Sequence, residues 1–204
     1  HDWAGSWIIP IGGGWSNRHA KHSLWADMNV HTALALTIDP ERDSSDILSE
    51  WVSNNSMPTE LQSLLEKSPE LILRLRYLDV WRVLKNQTWM PSENWFRDDN
   101  FVPGACAKIA NTVIDEGMDE LVRSERSLAT AMARSQLIEA QSLPICEHTE
   151  FIVESYRWAL RFAEWTERTW DALLNHAPLS RDECKVLLEQ RLREEPLPPL
   201  SVMD

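Results

Sequence analysis

Residues 147–176 read "EHTEFIVESYRWALRFAEWTERTWDALLNH". Neither glycine nor proline interrupts the stretch. Phe151, Ser155, Trp158, Ala159, Phe162, Trp165, Thr166, Thr169 and Leu173 recur at intervals of three and four, which places them on one face of a helix. That face is broad and aromatic. Such a face predicts the core of a helical bundle. Tryptophan and phenylalanine are also enriched where subunits meet, so a homodimer interface through the helical region is the alternative.

The flanking segments follow the same pattern. Helices are expected over about 105–116 and 118–142. Another is expected over 180–194, where Ser180 precedes Glu183 by three residues, the spacing of a capping box. The tail "EEPLPPLSVMD" cannot continue a helix and is expected to be exposed. Upstream, Leu24–Ile38 lacks glycine and proline, and Asp39-Pro40 stops it, because a residue before proline avoids the α region. Asp43 or Ser44 is expected to cap the next helix, whose apolar face is Ile47, Leu48 and Trp51. Pro58 suits the first turn of a further run carrying Leu61, Leu64, Leu65, Leu71, Leu75, Leu78 and Leu84. Pro69 is expected to kink or split that run. Residues 86–104, "NQTWMPSENWFRDDNFVPG", are a polar and aromatic break. Residues 1–24 read as irregular, with a short apolar strand at 7–11 and a loop at Gly12-Gly13-Gly14. The predicted fold class is mainly α, with a short irregular or strand segment at the N-terminus.

Composition narrows the function. The 204 residues carry 32 acidic against 20 basic side chains, a formal net charge of −12. Such a surface repels nucleic acid and anionic lipid, so no nucleic-acid partner is expected. No apolar run approaches the roughly 20 residues that cross a bilayer, so no membrane partner is expected either. Cys106, Cys146 and Cys184 form no CxxC pair and are read as buried or incidental thiols, compatible with a reducing, cytoplasmic compartment. His19 and His22 share a helical spacing, but a metal site needs three or four ligands, and neither metal nor cofactor is expected. Eleven tryptophans suit a core, and a minority of them suit a sugar-stacking surface.

Groups capable of chemistry are few. Asp98 and Asp99 lie beside Trp89, Trp95 and Arg97, a composition found in sugar sites, although adjacent loop acids also serve simply as solvated or capping groups. Asp2 is a weaker candidate. No GxSxG is present, and no cysteine sits in a catalytic context. The string Trp15-Ser16-Asn17-Arg18-His19 offers an aromatic face, an amide, a guanidinium and an imidazole in one loop.

The run "IIPIGGGWSNRHAKHSLWADMNVHTALALTIDPERDSSDILSEW", residues 8–51, resembles a segment of the α-glucuronidases that trim xylan side chains. In that family, a glycine-containing loop is followed by a segment of the type "maNlYafgrLaWdPdlsaeeIadeW". Met28 and Asn29, Leu36, Asp39-Pro40, Ile47 and Glu50-Trp51 fall on its positions. The resemblance implies the C-terminal part of a (β/α)8-barrel glycoside hydrolase acting on plant or microbial glycan. Residues 1–52 would then be the end of the catalytic barrel, and 53–204 a helical C-terminal domain for packing and association. The acid and base would lie upstream of residue 1, leaving this chain inactive by itself. Trp15, Asn17, Arg18 and His22 would line the substrate pocket, with carbohydrate bound by the complete enzyme. The competing expectation is a free-standing helical protein-interaction module with Trp-rich faces.

Overall fold

Leu24–Ile38 forms the first helix, α1, of the computed structural model, which describes residues 24–80 and 103–196 apart from the side chain of Arg76. The helices that follow are α2 (Ser44–Asn54), α3 (Glu60–Arg76), α4 (Pro103–Asp115), α5 (Asp119–Gln141), α6 (Thr149–His176) and α7 (Arg181–Glu194). Among the described residues there is no strand, so the mainly α reading holds. The expected strand at 7–11 and the break at 86–104 lie essentially outside the described residues.

The expected stops and caps are present. α1 ends at Ile38, and Asp39 folds back to accept the Glu41 amide at 3.2 Å. Asp43 is the N-cap of α2, its carboxylate accepting the Ser45 amide at 2.7 Å. Ser180 and Glu183 close the full capping box at α7, with bonds of 3.2 and 2.8 Å. The Ser180 bonds also hold the Glu183 carboxyl below its usual range. Of the two outcomes expected at Pro69, the split does not occur: the proline lies inside α3, which continues from Glu60 to Arg76. A mid-helix proline costs about 3 kcal/mol. Leu61, Leu64, Leu65, Leu71 and Leu75 along the same helix are all buried. At about 2 kcal/mol each, their burial outweighs that cost.

The described residues form two compact units. The first comprises 24–68 and 139–155, the second 69–80, 103–138 and 156–196. The chain crosses between them at Ser68-Pro69, so the proline marks a boundary of compactness without ending its helix.

In the first unit α1 packs beside α2. Ile47, Trp51, Leu61, Leu64 and Ile152 are its most deeply buried large side chains. Trp25 approaches Phe151 at 5.8 Å between ring centroids and donates its indole N–H to Ser155 at 2.9 Å. The second unit has a continuous core that includes Ile109, Val113, Val122, Trp170, Leu173 and Leu188. On α6 most of the predicted face is buried: Phe151, Ala159, Phe162, Trp165, Thr166, Thr169 and Leu173 are each less than a tenth exposed, while Ser155 and Trp158 are half-buried. That face is core, as the bundle reading predicts. Trp165 donates to the Glu195 carbonyl at 2.8 Å, and Arg168 and Arg191 grip the Glu195 carboxylate, fastening α6 to the end of α7.

Candidate functional site

The sequence-derived candidates Trp15, Asn17, Arg18 and His22 lie outside the described residues, as do His19, Asp2, Asp98 and Asp99. The described residues hold two features that could carry function, one in each unit.

The first is the surface of α1. Its sequence, "LWADMNVHTALALTI", places apolar side chains on every side of the helix. A helix of that kind normally lies in an interior. Here Leu24 is its single fully buried residue, most of the other apolar residues are half-buried, and Leu34 is 50% and Ile38 86% exposed. Polar groups border this helix at its contact with α2. His31 Nε2 stands 4.0 Å from Glu50, which is ion-paired with Arg42. The hydrogen bond from Arg42 and its charge hold the Glu50 carboxyl below the usual carboxylate range, and Glu50 in turn raises Arg42.

The second is a buried ion pair in the second unit. Glu125 and Arg126 are neighbours on α5, and only 7% and 2% exposed. Glu125 accepts the backbone amides of Asp79 and Val80 at 2.6 and 3.2 Å, the position from which a carboxylate caps a helix start. Arg126 donates to Glu125 at 2.9 Å and to the Tyr77 carbonyl at 2.9 Å. Burial pulls the Arg126 guanidinium down from its ordinary range, against the opposing pull of Glu125. A cleft of about 290 Å³ opens beside the pair, lined by Arg74, Asp79 and Glu125 and by the apolar Met118, Leu121 and Leu128.

The chemistry available in that cleft is limited by its hydrogen bonds. Both Glu125 oxygens are occupied by backbone amides and Arg126, and Arg74 is paired with Glu70 at 2.6 Å. A general acid or base needs a lone pair or proton directed at substrate, and Glu125 is instead spent on holding Tyr77–Val80 against α5. No group of three or more His, Cys, Asp or Glu side chains among the described residues could hold a metal ion. None of the described helices is long and apolar enough to cross a membrane.

Sequence reasoning did not single out either feature. Glu125 and Arg126 lie in "VRSERS", which by itself reads as a solvated helical face. The composition of α1 did carry a signal, since seven of its apolar residues (Leu24, Val30, Ala33, Leu34, Ala35, Leu36 and Ile38) follow no single helical stripe. Compared with known protein families, with curated proteins and with solved structures, the chain matches none.

Proposed function

We propose that this chain is a helical packing and association module, and that the body it serves is a glycoside hydrolase of the α-glucuronidase type acting on plant or microbial glycan. The observation that carries the first half is α1: apolar on all sides, with Leu24 alone buried and Ile38 86% exposed. Leu34 and Ile38, exposed and four residues apart on α1, form the apolar surface that a partner would cover. The resemblance of residues 8–51 supports the second half, because in that family the matching segment follows the last barrel strands. On this reading α1 lies against the barrel, and the remaining helices form the packing domain behind it. Proton transfer belongs to carboxylates upstream of residue 1. Carbohydrate is bound by the complete enzyme.

The test is sedimentation velocity with binding of a hydrophobic dye, on the chain and on a Leu34→Asp/Ile38→Asp variant. A monomer that binds dye, and loses the binding in the variant, is the expected result. Concentration-dependent dimers abolished by the same substitutions would make a second copy the occupant, and the chain a free-standing self-association module. If both proteins are monomeric and dye-free, α1 is not an association surface. The hydrolase half is tested separately on aldouronic acids and aryl glycosides. The chain by itself is expected to leave both intact, and turnover would overturn the upstream placement of the acids.

A further inference from the structure

Two sulfurs from distant parts of the chain meet within the first unit. Met57 and Cys146 are 89 residues apart in sequence, and their sulfurs stand 4.0 Å from each other. Local structure holds each of them. Met57 closes the turn that ends α2, its amide donating to the Val52 carbonyl at 3.0 Å, and Pro58 restricts its backbone from the other side. Cys146 lies in the loop 142–148 between α5 and α6. Its amide donates to Thr149 Oγ1 at 2.7 Å, and its carbonyl accepts the Thr149 amide at 3.2 Å. The Thr149 hydroxyl in turn donates to the Cys146 sulfur at 3.5 Å. Met57 is 8% exposed, whereas Cys146 is half-buried and its neighbour Ile145 is 95% exposed. Solvent therefore reaches the pair from the cysteine side.

We propose that Met57 and Cys146 form a binding site for a soft monovalent cation, Cu(I). A thiolate and a thioether are soft donors, and soft donors select Cu(I) over hard cations. The spacing suits a single ion. With metal–sulfur bonds of about 2.3 Å, sulfurs 4.0 Å apart subtend an angle of about 120° at an ion placed between them. That is the angle of trigonal coordination, which leaves the third position to an external thiol. A zinc site needs three or four ligands from the protein; a trigonal soft ion is held by these two. The Cys146 S–H now donates to the Met57 thioether. Cu(I) takes the place of that proton, which leaves to water, and bonds to the thiolate and to a thioether lone pair. No electron is transferred, and the single positive charge is balanced by the thiolate. The Thr149 hydroxyl keeps its hydrogen bond to the Cys146 sulfur and holds it in orientation, as an outer partner of a metal ligand does. The net charge of −12 favours a cation over the whole surface.

The experiment uses the full chain, reduced and kept free of oxygen, with Cu(I) supplied as its coloured bicinchoninate complex. Loss of that colour reads the copper taken up by the protein. The wild-type chain is expected to withdraw one Cu(I) per molecule, and Cys106→Ser/Cys184→Ser should withdraw the same. Cys146→Ser should withdraw none. Met57→Leu, which conserves volume, should weaken binding by about tenfold or more. X-ray absorption at the copper edge of the wild-type complex should show sulfur neighbours at about 2.3 Å, with one fewer in Met57→Leu. Circular dichroism of each variant separates loss of the site from loss of the fold, and the wild-type absorption spectrum needs no substitution. The proposal is overturned if the wild-type chain withdraws no copper, or if Met57→Leu binds as tightly as wild type, which would leave Cys146 an ordinary thiol. Retention in Cys146→Ser with loss in Cys106→Ser/Cys184→Ser would also overturn it, by placing the copper in the second unit.

Discussion

Each compact unit contains an arginine–glutamate pair, and the two pairs have opposite physical characters. Arg42 and Glu50 meet at the surface of the first unit, with side chains 33% and 42% exposed. Glu125 and Arg126 meet in the interior of the second, at 6% and 2%. Water solvates the surface pair whether it is formed or broken, so its Coulombic attraction is largely offset by what each ion would gain from solvent. The buried pair has no such alternative. It persists because the second unit supplies three further partners, the amides of Asp79 and Val80 and the carbonyl of Tyr77. Exposure, more than distance, decides what an ion pair does for stability.

The largest effect is expected from breaking the buried pair. Glu125→Gln leaves the Arg126 charge in the interior without its hydrogen-bonded counter-ion, and should cost about 3–5 kcal/mol in urea unfolding. Adding Arg126→Met should recover part of the loss; a double variant as unstable as the single would show that capping of Tyr77–Val80, not charge, is what Glu125 provides.

Next comes the Thr169 hydroxyl on α6. It is fully buried and has no hydrogen-bond partner among the described residues. Thr169→Val removes an unsatisfied polar group at nearly constant shape and should raise stability by about 1 kcal/mol. A fall in Tm would mean that the hydroxyl is satisfied in solution.

The ends of α2 and α4 extend the comparison between units. Both close with the same pair of backbone bonds, Ser56 to Ser53 and Met57 to Val52 in one, Gly117 to Ile114 and Met118 to Val113 in the other. Both need positive φ, 53° at Ser56 and 67° at Gly117. Glycine adopts that conformation without a Cβ penalty and serine does not. Ser56→Gly should therefore stabilise the first unit by about 0.5–1 kcal/mol, read as a rise in the urea midpoint at constant slope.

The smallest effect is expected at the surface pair. Glu50→Gln should leave Tm at neutral pH within error. Its signature is in the pH dependence. Glu50 is held below its ordinary value by Arg42, Glu66 by Ser45 and Gln62, and Glu195 chiefly by Arg168. A carboxyl lowered in the folded state contributes stability that is present above its unfolded pKa, about 4.3, and is lost as pH falls through the lower folded value. The wild-type chain should thus lose stability on acidification below about pH 4, and Glu50→Gln should flatten that slope slightly. A titration of Tm over the acid range with the two proteins side by side checks both.

Much of the fold was legible in residue order, because a helix and its ends are local objects. Three- and four-residue spacing marked α6, Asp39-Pro40 ended α1, and Asp43 and Ser180 began α2 and α7. That α3 runs through Pro69 without a split was not legible, because the proline's penalty is local, whereas the leucine burial that outweighs it is set by the packed fold. The boundary expected between 116 and 118 falls at Gly117, where "DEGM" carries the signal of a glycine just past a helix end. The candidate features were scarcely legible. Glu125 and Arg126 resemble any exposed pair of charges until Asp79 and Val80 are brought to them.

The sequence by itself therefore determined which segments are helices, where most of them begin and end, and which face of α6 is apolar. These follow from periodicity, capping and backbone sterics acting over a few residues. Only the tertiary structure decided which charges are buried and that Leu34 and Ile38 of α1 remain exposed. Those depend on residues far apart in the chain and on exclusion of water, which exist only once the helices have packed.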